Sequence, residues 1–222
     1  MRVFVPVADC VRRSVRWERL EVRIINKDIL LCGVGGQGTV LASKLIAAAA
    51  MREGHTVHSA ETIGMAQRGG SVTSHIRIGE DIGSPLIPFG AADMILAFEP
   101  AEAVRNLHYL KPDGIVIVNR TPVRPTTESL NETGYDGVKE LDYLKTKCKC
   151  VVIDGEALCK PFGSARYLNM IELGAVSATG VLGISEGALL AEIEAQVKPQ
   201  FVETNKKAFA AGREAGQTDE AK

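Results

Sequence analysis

Apolar residues along this chain come in two textures. Short continuous runs, Asp28-Ile29-Leu30-Leu31-Cys32, Met94-Ile95-Leu96-Ala97-Phe98, Ile115-Val116-Ile117-Val118-Asn119 and Cys150-Val151-Val152-Ile153-Asp154, predict strands buried on both faces. Ser71 to Ile78 alternates instead, with Val72, Ser74, Ile76 and Ile78 on one face and Thr73, His75 and Arg77 on the other. That pattern predicts a half-buried strand with His75 at its surface. His55 to Ala60 predicts a further strand, ended by Glu61. Between the strands lie helical segments: Thr39–Arg52, Ala101–Leu110 opened by Pro100, and Val138–Lys147. The last third predicts helices over Ala165–Leu182, over Glu186–Val197 capped by Ser185, and from Pro199 to near Gly212. Small residues, Gly174, Ala175, Ser177, Ala178 and Gly180, mark the first of these for close approach by a neighbour. Lys111-Pro112-Asp113-Gly114 predicts a turn, Glu80–Ala92 and Arg120–Asp136 irregular connections, and Gln217–Lys222 a frayed end. Strands alternating with helices give an α/β class: a mostly parallel sheet, helices on both faces, and a helical C-terminal part.

The turn after the first strand carries Gly33, Gly35, Gly36, Gln37 and Gly38, and the spacing of Gly33, Gly35 and Gly38 is G-x-G-x-x-G. Strand before and helix after are the context that a Rossmann-like dinucleotide site requires. Free amides at the helix start attract an anion. Glu61 stands where an acid would meet a ribose hydroxyl. Two readings stay open: a bound NAD(P) or FAD, or a tight turn used for packing or for a partner's phosphate.

Composition narrows the rest. A chain of 222 residues with 45% hydrophobic and 24% charged residues fits one α/β domain. Its expected span is 28–215, with an N-terminal extension over 1–27 and a tail over 216–222. A net charge of −1 gives no electrostatic reason to bind nucleic acid or an anionic membrane. No apolar run approaches the ~20 residues of a membrane span. In the extension, Arg12, Arg13, Arg16 and Arg19 follow the apolar Val3-Phe4-Val5, the reverse of an export signal. It is an added edge element, a loose arm or an over-long gene start. The five cysteines, Cys10, Cys32, Cys148, Cys150 and Cys159, form no disulfide framework, so a cytoplasmic setting is expected. Cys148-Lys149-Cys150 lacks the C-x-x-C spacing of zinc and iron–sulfur sites, so a metal on this chain is not expected.

A second glycine-rich stretch, Gly64-Met65-Ala66-Gln67-Arg68-Gly69-Gly70, surrounds one arginine. Arg68 can offer its planar fork to a carboxylate or phosphate, or close the loop by an ion pair. Glu99 ends the strand before Pro100, on the edge where open α/β sheets bind ligands, and Glu102 stands three residues before Arg105. A nucleophile–base pair, a phosphate-loop lysine and a metal motif are missing from the sequence; Lys44 lies too far beyond Gly38. The chain is one that binds and packs.

Taken together, Gly33–Gly38, Gly64–Val72, Ser84-Pro85-Leu86-Ile87-Pro88 and Phe98-Glu99-Pro100 with Glu102 and Arg105 resemble the γ-type subunits and domains of 2-oxoacid:ferredoxin oxidoreductases. The form of the Arg-Gly-Gly loop is most similar to the small (β) subunits of the indolepyruvate branch. Asn169-Met170, Leu173-Gly174-Ala175, and Asn205 with Ala208-Phe209 and Gly212 extend the resemblance through the C-terminal part. The resemblance implies oxidative decarboxylation of an aryl-2-oxoacid with CoA as cosubstrate, giving the arylacetyl-CoA, CO2 and reduced ferredoxin. It implies a hetero-oligomer in which a large (α) subunit carries thiamine diphosphate and [4Fe-4S] clusters, with no catalytic residue on this chain. Gly33, Gly35, Gly36, Gln37, Gly38, Met65, Gln67, Arg68, Gly69, Gly70 and Glu99 are then the expected cofactor-facing or interface residues. A γ subunit for pyruvate, 2-oxoglutarate or branched-chain 2-oxoacids is the alternative within the family.

Overall fold

The computed structural model of the protein describes residues 25–63, 69–123 and 134–219. Their strands are β1 (Lys27–Val34), β2 (Val57–Ile63), β3 (Ser71–Ile78), β4 (Ala92–Ala97), β5 (Leu110–Asn119) and β6 (Lys149–Ile153). They lie side by side in the order β2-β3-β1-β4-β5-β6. β4 pairs parallel with β1, β5 with β4 and β6 with β5. β3 runs against both β1 and β2, so it is the single reversed strand of this sheet.

Successive residues of each buried strand point to opposite faces, and two cores result. Ile29, Leu31, Met94, Leu96 and Ile117 pack on α1 (Thr39–Arg52), on the short α4 (Gly155–Cys159) through Cys159, and on the C-terminal helices α5 (Leu168–Ala178), α6 (Glu186–Gln196) and α7 (Pro199–Asp219). Leu30, Cys32, Ile95, Ala97, Val116 and Val118 pack on α2 (Pro100–Asn106) and α3 (Val138–Lys147) through Ala103, Leu141 and Leu144. This is the helix-covered, mostly parallel sheet expected from the continuous apolar runs. α1 and α3 have the predicted bounds. Ser185 caps α6 as expected, its Oγ accepting from the Ala188 amide at 3.2 Å.

Several expectations need correction, among them the Ala101–Leu110 helix, which ends at Asn106 and gives way to a 3-10 turn over Leu107–Tyr109. Lys111–Gly114 lies within β5, as a bulge: Ala92 pairs with Leu110 and Met94 with Ile115, leaving residues 111–114 without a partner on β4. A proline in a strand belongs at such an irregularity. His75 is buried, 3% exposed, because β3 is an inner strand and the 84–90 loop covers its second face. The Ile87 amide donates to His75 Nδ1 at 3.2 Å and the Tyr109 ring stands edge-on at 5.3 Å. Burial pushes the imidazole pKa down, which keeps Nδ1 an acceptor. The predicted helix over Ala165–Leu182 is shorter: a 3-10 turn at Ala165–Tyr167 precedes α5, which ends at Ala178. α7 passes through Gly212 and continues to Asp219. Gly212 there serves helix contact, not termination: a Cβ on it would stand 1.8 Å from the Ile171 carbonyl oxygen.

Candidate functional site

The two glycine stretches meet at the carboxyl edge of the sheet. Beyond the last pair of the β1–β3 ladder, the Gly35 amide donates to the Gly70 carbonyl at 2.8 Å, and the Gly69 amide donates to Gly35 at 3.3 Å. Gly36, at φ 108°, has no described atom beyond its chain neighbours within 4 Å of where a Cβ would be. Gln37 turns inward: its Oε1 accepts from the Val34 amide at 2.7 Å and its Nε2 donates to the Phe98 carbonyl at 2.8 Å. Gly33 leaves room for this amide, since a Cβ there would lie 2.9 Å from Gln37 Oε1 and 2.9 Å from Phe98 Cβ. Gly38, at φ 89°, caps α1 and faces Asn169, whose Nδ2 would stand 2.9 Å from a Cβ.

This geometry bears on the dinucleotide reading. α1 covers one face of the sheet and α2 the other, so the ligand crevice of such a sheet falls between β1 and β4. The Gln37 amide spans that crevice. Glu61 does not end its strand, because β2 runs on to Ile63. With β3 interposed, Glu61 stands two strands from β1, about 10 Å at the usual spacing. Its carboxylate accepts from Ser43 Oγ of α1 at 3.5 Å. The residues of the fingerprint are therefore engaged with the chain itself. Gln37→Ala is expected to cost about 1–2 kcal/mol, chiefly by orphaning the Val34 amide, as read from urea unfolding midpoints. Phe98 keeps a second donor, Asn119 Nδ2 at 3.3 Å.

Glu99 is a cap. Its Oε2 accepts from the Glu102 amide at 2.9 Å, and its Oε1 accepts from the Tyr135 hydroxyl and from the Val123 amide at 3.4 Å. The Tyr135 oxygen in turn accepts from the Ala101 amide at 3.1 Å. Burial pushes the Glu99 pKa up, and the Tyr135 bond draws it back; burial and the adjoining carboxylate push the phenol up as well. Beside it, Glu102 Oε2 accepts from Ser71 Oγ at 2.6 Å, and Oε1 accepts from Arg105, the expected helical partner.

Past Gln37 the carboxyl edge opens into a cleft of about 670 Å³ over β5 and β6. Gly36, Asn119, Cys159, Leu168, Lys160 and Arg166 line it. Lys160, Arg166 and Asn119 were not candidates from sequence. Asn119 had a signal, a polar residue ending a buried strand. It holds three strand ends together: its Oδ1 accepts from Thr121 and Gly155 amides at 3.3 and 3.2 Å while Nδ2 reaches Phe98. The Cys159 thiol is pushed up to about 11, first by burial and then by Glu172, so it stays protonated at neutral pH. Among the described residues, no three His, Cys, Asp or Glu side chains come together as a metal site. Nor is any helix among them long and apolar enough to cross a membrane. Met65, Gln67 and Arg68 lie outside the described residues.

Comparison with known proteins agrees with this architecture. Residues 28–215 match the family model described as pyruvate ferredoxin/flavodoxin oxidoreductase. The chain is 36% identical over 188 residues to indolepyruvate oxidoreductase subunit IorB of Thermococcus kodakarensis, covering 83% of this chain and 93% of that one. It is 32% identical over 193 residues to the common γ subunit of the pyruvate/ketoisovalerate oxidoreductases of Pyrococcus abyssi, covering 85% and 94%. Among solved structures it is similar to the γ subunit of a keto/oxoacid ferredoxin oxidoreductase from Geobacter sulfurreducens. That match has a TM-score of 0.63 and 26% identity, over 86% of this chain and 99% of the other.

Proposed function

The chain belongs to the pyruvate ferredoxin/flavodoxin oxidoreductase family, as a γ-type (β) subunit, and we propose that it serves the indolepyruvate branch. In this reading it completes an aryl-2-oxoacid:ferredoxin oxidoreductase whose large subunit carries thiamine diphosphate and [4Fe-4S] clusters. The 36% identity to an IorB chain, against 32% to a common γ chain, supports the branch. The donor groups of the described residues do not fit a cluster: Cys32 is buried in the sheet, and Cys148 Sγ faces the Leu144 carbonyl at 3.4 Å. This reading assigns iron–sulfur and thiamine chemistry, and bond-breaking with them, to the partner.

One observation carries the reading. Gly35 is hydrogen-bonded to Gly69 and Gly70 at the sheet's carboxyl edge, next to an open Gly36 and a cleft rimmed by Lys160 and Arg166. A surface low in side chains lets a partner's backbone or cofactor approach closely. We assign Gly33–Gly38, Met65, Gln67, Arg68, Gly69 and Gly70 to the face that meets the large subunit, with Arg68 directed to a phosphate or carboxylate there. Glu99 supports that face from behind.

Purified alone, the chain is expected to bind NAD(H), NADP(H) and FAD no better than millimolar and to turn over nothing. Mixed with a thiamine- and cluster-bearing large subunit, it is expected to restore CoA-dependent ferredoxin reduction with indolepyruvate. Arg68→Ala should lower that rate or weaken assembly by roughly tenfold, the scale of one lost charge-assisted contact. Micromolar nucleotide binding by the lone chain would return the dinucleotide reading, with the chain a free-standing NAD(P)- or FAD-binding protein. Preference for pyruvate or a branched-chain 2-oxoacid would move the protein to the other branch.

A further inference from the structure

Two sequence motifs without a chemical role of their own, the Glu99–Arg105 stretch and Gly69-Gly70-Ser71, meet at one hydrogen bond. Glu102 is 4% exposed, and its Oε2 accepts from Ser71 Oγ at 2.6 Å. Helix packing alone has no need of an acid here, since an apolar side chain of like size would fill the space without the cost of desolvating a carboxylate. What an apolar residue could not do is hold Ser71. Ser71 opens β3 opposite Val34, and the carbonyl of the preceding Gly70 accepts from Gly35. Two successive glycines have no side chains to fix their conformation, so beyond their two hydrogen bonds to Gly35 their position depends on what holds the residue after them.

We propose that Glu102 is a positioning residue: through the Ser71 hydroxyl it fixes Gly69 and Gly70 against the Gly33–Gly38 turn, in the arrangement the large subunit meets. The proposal rests on the reading of function given above. Glu102 touches no substrate in this account. Its Arg105 partner, on the solvent side, holds the other carboxylate oxygen and leaves Oε2 to Ser71.

The test uses Ser71→Ala, Ser71→Thr, Glu102→Gln and the Ser71→Ala/Glu102→Gln pair in the full chain. In the lone chain, amide hydrogen exchange of peptides covering 33–38 and 69–72 should quicken roughly five- to tenfold in Ser71→Ala. Peptides of α5 and α7 should be unchanged, and Ser71→Thr, which keeps the hydroxyl, should restore protection. In the reconstituted complex, turnover, subunit affinity or both should fall roughly tenfold, the scale of a displacement below 1 Å. The double variant should be no worse than the poorer single one. Ser71→Ala, at an exposed strand end, keeps the test readable if Glu102→Gln does not fold. Unchanged exchange and turnover in Ser71→Ala, or losses that add in the double variant, overturn the role of Glu102 alone. A wild-type pair that neither assembles nor turns over overturns the reading of function and this role together.

Discussion

Gly174→Val or Gly212→Val is expected to abolish the cooperative unfolding transition of the purified chain, and alanine at either position to cost about 3 kcal/mol or more. α5 and α7 cross backbone to backbone. A Cβ on Gly174 would lie 1.9 Å from the Phe209 carbonyl oxygen and 2.9 Å from the Arg213 nitrogen. A Cβ on Gly212 would lie 1.8 Å from the Ile171 carbonyl oxygen and 2.5 Å from its carbon. These obstacles are backbone atoms, so rotamer change cannot relieve them and the helices must part. Parting them withdraws Met170, Ile171, Leu173, Ala208 and Phe209, all buried, from the contacts that hold the C-terminal layer on the sheet. A gap of 1 Å already forfeits up to half of a dispersion contact. Set against a total stability of roughly 5–15 kcal/mol, that loss is decisive. Gly187→Ala in α6 is the control, because its Cβ would meet only Ser185 Oγ at 3.9 Å. Urea unfolding followed by circular dichroism reads all of these, and a wild-type midpoint for Gly174→Ala would refute the account.

The same crossing shows what the sequence made legible. Gly174, Ala175 and Ala178 announce close approach, and the neighbour that approaches is α7; Gly180, expected to do the same, lies past the end of α5 at φ 65° with no described atom beyond its chain neighbours close to it. Gly212 carries the same message but sits near the end of an apolar pattern, where a glycine equally signals a helix stop. Local sequence cannot tell the two uses apart; only the partner helix does. His75 misleads for a related reason. Alternation says which residues share a face, and it cannot say that a proline-bearing loop will cover the outer one. The helix-flanked parallel sheet was legible because Ile29–Cys32, Met94–Phe98 and Ile115–Val118 are apolar on both faces, a demand only helices on both sides satisfy.

The glycine turn was legible in position and less so in purpose. Gly33, Gly35 and Gly38 at dinucleotide spacing predict a tight turn between strand and helix, and the turn is there. The spacing does not reveal that Gln37, at a position the pattern leaves free, fills the crevice with its own amide. Nor does it reveal the reversed β3, which separates Glu61 from β1. Strand order is set by long-range pairing and escapes any motif of local spacing. Asn169, placed by resemblance in a C-terminal motif, faces Gly38 and so joins that motif to the first one. Both belong to one packed unit at the carboxyl edge.

Glu172→Met is expected to stabilise the lone chain, by about 1 kcal/mol near pH 4, where only the unpaired polar atoms count, and by about 2 kcal/mol more near pH 8. Glu172 in α5 is fully buried, and neither of its carboxyl oxygens has a hydrogen-bond partner among the described residues. Burial therefore raises its pKa well above the ordinary carboxylate value, and the native state holds it as the neutral acid. In the unfolded chain the same group ionises at about pH 4.3. Between those two pKa values the native state binds the extra proton, so stability falls as pH rises above the unfolded value and levels off beyond the native one. Methionine has nearly the volume of the acid and does not ionise, so it removes that slope and the cost of two orphaned oxygens together. Glu172→Gln separates the contributions: it should flatten the pH dependence while keeping the unpaired polar atoms, and so gain less. Urea unfolding of the three proteins across that pH range is the measurement. A wild-type minus Glu172→Met difference that stays constant with pH would mean that Glu172 reaches a proton acceptor or a cation on folding and is not a neutral acid in the core.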